Sequence, residues 1–261
     1  MFDSNCYIFC LQETKVIEFV NLTKNYTSKK VLDNLNFKIS EGSLFGLIGE
    51  NGAGKTTLIN SILGKLDFEG EILIQGISNF EFLEKSRNEI LFVPDTPFAY
   101  EFLTGFEFVR FVLEMQKIPL ESVLEKLELL FELFELTDYQ NKLIQTYSLG
   151  MKRKITLVSA LLQNPKILIL DEPVSGLDAK SIIIFKKLLK SLSQNGSTII
   201  FTTHILDLIE NLCDSVAILH NQKIAYSNES FALEKSELEK IYLDLIGKNE
   251  DENLKKFEEL L

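Results

Sequence analysis

Between Gly49 and Thr56 the chain runs Gly-Glu-Asn-Gly-Ala-Gly-Lys-Thr, with glycines at 49, 52 and 54 directly ahead of Lys55 and Thr56. This is the spacing G-x-x-x-x-G-K-[ST], and its chemistry is the grip of a polyphosphate. Glycines let the loop turn its backbone N–H groups inward around phosphate oxygens, and a helix starting there adds its positive dipole end. Lys55 would reach the β- and γ-phosphates, and the Thr56 hydroxyl would ligate Mg²⁺. Further along, Ile167-Leu-Ile-Leu-Asp171-Glu172-Pro173 is an apolar run ending in two acids. Asp171 suits a magnesium ion, held directly or through water. Glu172 can orient and polarise an attacking water, a role worth about 10²–10⁴ in rate. A plain glycine turn or a solubilising acid pair explains each feature singly but not both together.

These residues need elements to place them. Leu44–Ile48 has the composition of a buried strand feeding the glycine loop, and Thr56–Leu63 continues as a helix. Val16–Val20, Phe37–Ile39, Glu71–Ile74 and Leu91–Val93 are expected as further strands, the last ended by Pro94. From about Glu101 to Gln163 strand signals vanish. Phe106–Met115, Leu120–Leu136 and Met151–Leu162 carry apolar residues at spacings of three and four, which predicts a helical insertion, with Pro119 in the first turn of its middle helix. Ile167–Leu170, Thr198–Thr202 and Ser215–Leu219 then alternate with helical Ala179–Leu192 and Ile205–Leu212. Such alternation predicts an α/β fold with a parallel sheet covered on both faces, which brings the acids to the sheet edge where ligands bind. From about Asn228 the chain is charged and helical, with Leu238, Ile241, Tyr242, Leu245 and Ile246 on one stripe.

Several smaller motifs share the same order along the chain. Ser175-Gly-Leu-Asp178 follows the acids, Thr202-Thr-His204 ends the next strand, and Tyr147-Ser148-Leu-Gly150-Met opens the helix ahead of the acids. With the glycine loop, they resemble the ABC ATPase family over about Val16 to Tyr226. The resemblance implies a P-loop NTPase fold of the ABC type, with an N-terminal antiparallel β subdomain, a helical subdomain near 101–163, a C-terminal helical accessory segment over 227–261 and an N-terminal extension over 1–15. It implies ATP and Mg²⁺ as cofactors. Tyr26 would stack on the adenine, while Gly49, Asn51, Gly52, Ala53, Gly54, Lys55, Thr56 and Thr57 bind the nucleotide. His204 would sense the γ-phosphate and act with Glu172 and Lys55 in hydrolysis. Asp178 would also bind nucleotide, and Ser148 with the amides after it, Gly150 included, would face the glycine loop of a second copy, so that a homodimer or a heterodimer with a related ATPase encloses two ATP molecules.

Two residues depart from the family pattern. Leu149 stands where the family has the first of two glycines, which matters if that position needs positive φ. Asp95, in Leu91-Phe-Val-Pro-Asp95, stands where the family has glutamine. An acid there could approach Mg²⁺ but repels a γ-phosphate, so Asp95 joins Thr56 and Asp171 as a candidate metal ligand. Both departures resemble ATPase subunits that serve exporters through a separate integral membrane permease, and they imply a peripheral location at the cytoplasmic face. A soluble ribosome- or DNA-acting member and an importer ATPase are the alternatives.

Composition agrees. The 261 residues carry 27 Lys+Arg against 38 Asp+Glu, a net charge of −11, which argues against nucleic-acid partners. No stretch approaches the roughly 18 consecutive apolar residues of a membrane span. Cys6, Cys10 and Cys213 form neither a disulfide framework nor a zinc site, which fits a cytoplasmic protein.

Overall fold

Alternation in Val16-Ile-Glu-Phe-Val starts β1 (Lys15–Tyr26), which pairs antiparallel with β2 (Lys29–Ser40). The computed structural model describes residues 15–27, 29–228 and 237–246. After β2 come β3 (Leu44–Ile48), α1 (Lys55–Ile62), β4 (Glu69–Ile74), β5 (Ile77–Ser78), α2 (Asn79–Ser86) and β6 (Ile90–Val93). The helical block holds α3 (Gly105–Met115), α4 (Leu124–Leu133) and α5 (Leu149–Leu162). The remainder is β7 (Ile167–Asp171), α6 (Ala179–Gln194), β8 (Thr198–Thr203), α7 (Leu206–Leu212), β9 (Ser215–His220), β10 (Lys223–Asn228) and α8 (Glu237–Ile246).

Two sheets result. The first, ordered β2-β1-β4-β5, is antiparallel throughout. Its register stacks Phe19 on Phe37, with ring centroids 4.1 Å apart. The second is ordered β10-β9-β3-β8-β7-β6, parallel except for β10 at the edge. Every residue of β3, β7 and β8 is buried, which is why β3, β7 up to Leu170 and the Ile199–Phe201 centre of β8 are apolar runs rather than alternating ones.

Strand period then sorts β3 between two cores. Phe45 and Leu47 point to a core shared with the first sheet and with Leu58 and Ile59 of α1. Leu44 and Ile48 point to the other core, with Val109 of α3, Phe131 of α4 and Val158 of α5. α3 is fixed at its start by a reciprocal capping box, in which Thr104 accepts from the Glu107 amide and Glu107 from the Thr104 amide. The expected helix Leu120–Leu136 is not continuous. Leu120–Ser122 forms a 3₁₀ turn after Pro119, and Val123 leaves helical space at φ −128, ψ 6, before α4 begins. Leu120 and Val123 turn toward the core at this break. In α8, Leu238 is buried, and Ile241, Tyr242 and Leu245 pack on the same core.

The strand expected at Phe37–Ile39 extends over twelve residues, and β5, α2 and β10 were not anticipated. The expectations for Cys6 and Cys10, for most of segment 1–15, and for residues 229–236 and 247–261 fall outside the described residues. Among the described residues, no helix is long and apolar enough to cross a membrane.

Candidate active site

β8 lies between β3 and β7, and all three run parallel. Their C-terminal ends therefore deliver the glycine loop, the acid pair and the Thr203-His204 turn to one edge of the sheet. A cavity of about 560 Å³ opens there, lined by Asn51, Gly52, Gly54, Lys55, Thr56, Thr57, Asp171 and Glu172, together with Val31, Phe92, Pro94 and Asp95.

The loop is built for close approach. Gly54 has φ +114, and a Cβ there would meet the Leu32 side chain at 2.9 Å and the Val31 carbonyl at 3.1 Å. Only glycine suits both the backbone angle and the space. No side chain caps α1 and no acid sits in its first turn, so its N-terminal amides are left without a cap from their own helix. These donors and this cradle fit a polyphosphate. Lys55 Nζ donates to the Gly49 carbonyl at 2.6 Å and the Glu50 carbonyl at 3.3 Å, and lies 4.0 Å from Glu172 Oε1. Burial pulls the Lys55 pKa down, while Glu172 and Asp171 oppose that shift.

Asp171 is buried and fully engaged. Thr56 Oγ1 donates to its Oδ2 at 3.3 Å, and Thr202 Oγ1 donates to its Oδ1. A hydroxyl and a carboxylate oxygen facing each other at the loop's edge are hard oxygen donors that suit Mg²⁺. Glu172 has φ +46, an uncommon conformation for a non-glycine residue. Its amide donates to both the carbonyl and the Oγ1 of Thr202, each at 3.2 Å. Its carboxylate, 15% exposed, lies 3.1 Å from Nδ1 of the 63% exposed His204. An acid held this way and partnered by an exposed histidine can orient a water and receive its proton.

The other expected site residues are placed as follows. Ala53 lines a neighbouring depression with Lys29 and Lys30, and Gly49 supplies the carbonyl behind Lys55. Tyr26 ends β1, 43% exposed and beside Lys24, and is not on the cavity wall. Ser148 caps α5 by accepting from the Met151 amide at 3.2 Å. Gly150 lies against the loop after the acids, where a Cβ would come within 2.7 Å of the Gly176 carbonyl. Neither Ser148 nor Gly150 lines the cavity. Leu149 has no positive φ, so leucine is accommodated there, and its side chain is 64% exposed. Asp178 caps α6 through the Ser181 amide and pairs with the buried Lys154 at 2.7 Å, which holds its carboxyl well below the usual range. Asp95 lines the cavity but gives one carboxylate oxygen to Arg153 at 3.2 Å.

Sequence reasoning named Thr202 only as part of a motif and missed Arg153. The register Asp171↔Thr202 explains the first, because two parallel strands place those side chains together. For Arg153 the available signal was a charge followed by the apolar run that begins at Ile155 in the same helix.

Fold and site together define a P-loop nucleoside triphosphatase. A family model described as ABC transporter matches residues 32–175. The chain belongs to the ABC transporter family: it is an ATP-binding subunit and an ATPase. It is 38% identical over 215 residues to the uncharacterized ABC transporter ATP-binding protein YhcH of Bacillus subtilis (strain 168), covering 80% of this chain and 68% of that protein. It is 34% identical over 208 residues to the bacitracin transport ATP-binding protein BcrA of Enterococcus faecalis, covering 78% and 66%. Among solved structures, an ATP-binding subunit of an ABC transporter superposes with a TM-score of 0.80 at 32% identity, over 88% of this chain and 99% of that one. The ATP-binding cassette MJ0796, in a dimeric post-hydrolysis state bound to ADP and Pi, superposes with a TM-score of 0.72 at 25% identity, over 81% and 97%.

Proposed function

We propose that this chain works as a dimer, with itself or with a related ATPase, closing around two Mg-ATP molecules to drive a separate membrane permease in the export direction. The observation that carries this reading is a division of the site. The loop, Asp171 and Glu172 line one cavity, with His204 reaching it through Glu172, whereas the helix N-terminus at Ser148 and Gly150 stands off it. An anion-binding helix end outside the cavity of its own chain is suited to the triphosphate of a second copy. The dimeric state of the related cassette MJ0796 supports the arrangement.

Within each cavity, Lys55 and the loop amides bind the phosphates, and Tyr26, off the cavity wall at the end of β1, stacks on a base that extends beyond it. Thr56 and Asp171 would hold magnesium, with Asp95 lining the same cavity; the ion, when bound, offsets phosphate charge. Glu172 orients the water and takes its proton, and His204 holds Glu172 and senses the γ-phosphate. Binding favours the closed pair, and loss of the γ-phosphate removes the contact that favours it. Similarity to a bacitracin transport protein supports a role in transport, and export through a permease at the cytoplasmic face is our reading of that role.

The test is Glu172→Gln. It should bind ATP, lose about 10²–10⁴ in turnover and accumulate as an ATP-dependent dimer by light scattering. Normal turnover removes Glu172 from its role, and a variant that stays monomeric with ATP bound removes the clasp. Co-purification with a polytopic membrane protein tests the permease.

A further inference from the structure

Arg153 is a charge in a crowded place. It lies on α5 at 3% exposure, five residues past Ser148. Its Nη1 donates to the Pro94 carbonyl at 3.3 Å and its Nη2 to Asp95 Oδ1 at 3.2 Å, while Nε is buried with no acceptor. Asp95, 56% exposed, is the carboxylate paired with it. Pro94 and Asp95 in turn line the nucleotide cavity together with Lys55 and Thr56.

The two charges depend on each other for different reasons. A free carboxylate at 95 would repel a triphosphate in the cavity. A guanidinium this buried, with one nitrogen already unsatisfied, needs that carboxylate close by. The bond also joins two parts of the molecule 58 residues apart: the wall segment after β6 and the helix whose first turn carries Ser148 and Gly150.

We propose that Arg153 is a positioning residue for nucleotide use: it neutralises Asp95 toward the triphosphate and ties the Pro94–Asp95 wall to the Ser148 helix. This rests on the nucleotide reading above. Movement of the wall on nucleotide binding then reaches α5 through a direct ion pair rather than through the sheet.

Steady-state ATP hydrolysis by the full chain tests this with Arg153→Gln, Asp95→Asn, the double variant and Arg153→Lys. Arg153→Gln exposes the acid and should raise the KM for ATP about tenfold. The double variant should return KM to within about twofold of wild type while kcat stays several-fold low, because the charge is corrected but the tie is not restored. Arg153→Lys, which keeps the charge, should hold KM near wild type. An unchanged KM in Arg153→Gln overturns the proposal in favour of simple packing. A raised KM in Asp95→Asn that the double variant does not rescue overturns it in favour of Asp95 as a metal ligand. If Arg153→Gln does not fold, Asp95→Asn decides: KM at or below wild type supports the proposal, and KM above it overturns it. Failure of wild type itself to bind a fluorescent ATP analogue is a separate result, which removes the nucleotide reading and not the ion pair.

Discussion

Thr202 shows how much one buried hydroxyl can organise. It donates to Asp171 and accepts from the amide of Glu172, so both acids take their positions from it. That contact also helps hold Glu172 at a positive φ that an acid would otherwise rarely adopt. Thr202→Val keeps the shape and removes the hydroxyl, leaving a buried carboxylate oxygen short of a donor. Stability should fall by about 1–3 kcal/mol, measured by denaturant unfolding. Turnover should fall about tenfold, equivalent to roughly 1.4 kcal/mol of barrier, with the KM for ATP little changed. Loss of ATP affinity instead would show that Thr202 serves the nucleotide directly and not the acids. The contrast with Asp95 is instructive at this scale. Both carboxylates face the cavity, but Asp171 is held by hydroxyls, which leave its charge in place, and Asp95 by a guanidinium, which cancels it.

Helix ends do most of the positioning in this molecule, and they can be tested one at a time. Gly150→Ala would drive a methyl to 2.7 Å from the Gly176 carbonyl and push the first turn of α5 off the loop that follows the acids. ATP binding to the single chain should survive, while Gly150→Ala placed on the Glu172→Gln background should fail to dimerise with ATP; an intact dimer would mean that this contact is dispensable. Asp178→Ala removes the cap of α6 and the partner of Lys154, and should cost about 1 kcal/mol at neutral pH. Because Lys154, and then the Ser181 amide, depress the Asp178 pKa, the carboxylate's contribution is complete above its ordinary value near 3.8 and is lost as pH falls below it. The gap in thermal stability between wild type and variant should therefore be full at pH 7 and narrow below about pH 4. Elements of this kind were legible in the sequence to unequal degrees. β3 and β7 were plain because burial on both faces leaves an unbroken apolar run, punctuated by Gly49 and by the acids. Most of β2 was hidden because Asp33 and Asn34 stand side by side between Leu32 and Leu35 and break its alternation, and β10 because no residue of it is fully buried. α2 was too short to show a period, burying only Asn79 and Phe82. The ties Thr202–Asp171 and Arg153–Asp95 span 31 and 58 residues, a distance over which a local pattern carries no information.

For the molecule as a whole, charge sets two processes against each other. Each chain carries −11, and the proposed active state brings two such chains together around two further anions. Net repulsion of that kind is screened by salt, with a Debye length of about 10 Å at 0.1 M. Nucleotide capture by a single chain has the opposite character, since the loop amides and Lys55 attract the phosphates and screening weakens the attraction. Raising ionic strength from about 0.05 to about 0.3 M should therefore loosen ATP binding to the monomer and tighten the ATP-bound dimer of Glu172→Gln, each by a few-fold. Titration with a fluorescent nucleotide measures the first, and sedimentation equilibrium at saturating ATP measures the second. Saturation matters, because otherwise weaker capture would mask stronger association. If salt instead dissociates the saturated dimer, the two faces must attract through local pairs of opposite charge. Those pairs would then have to outweigh the excess of acids over bases that each chain carries.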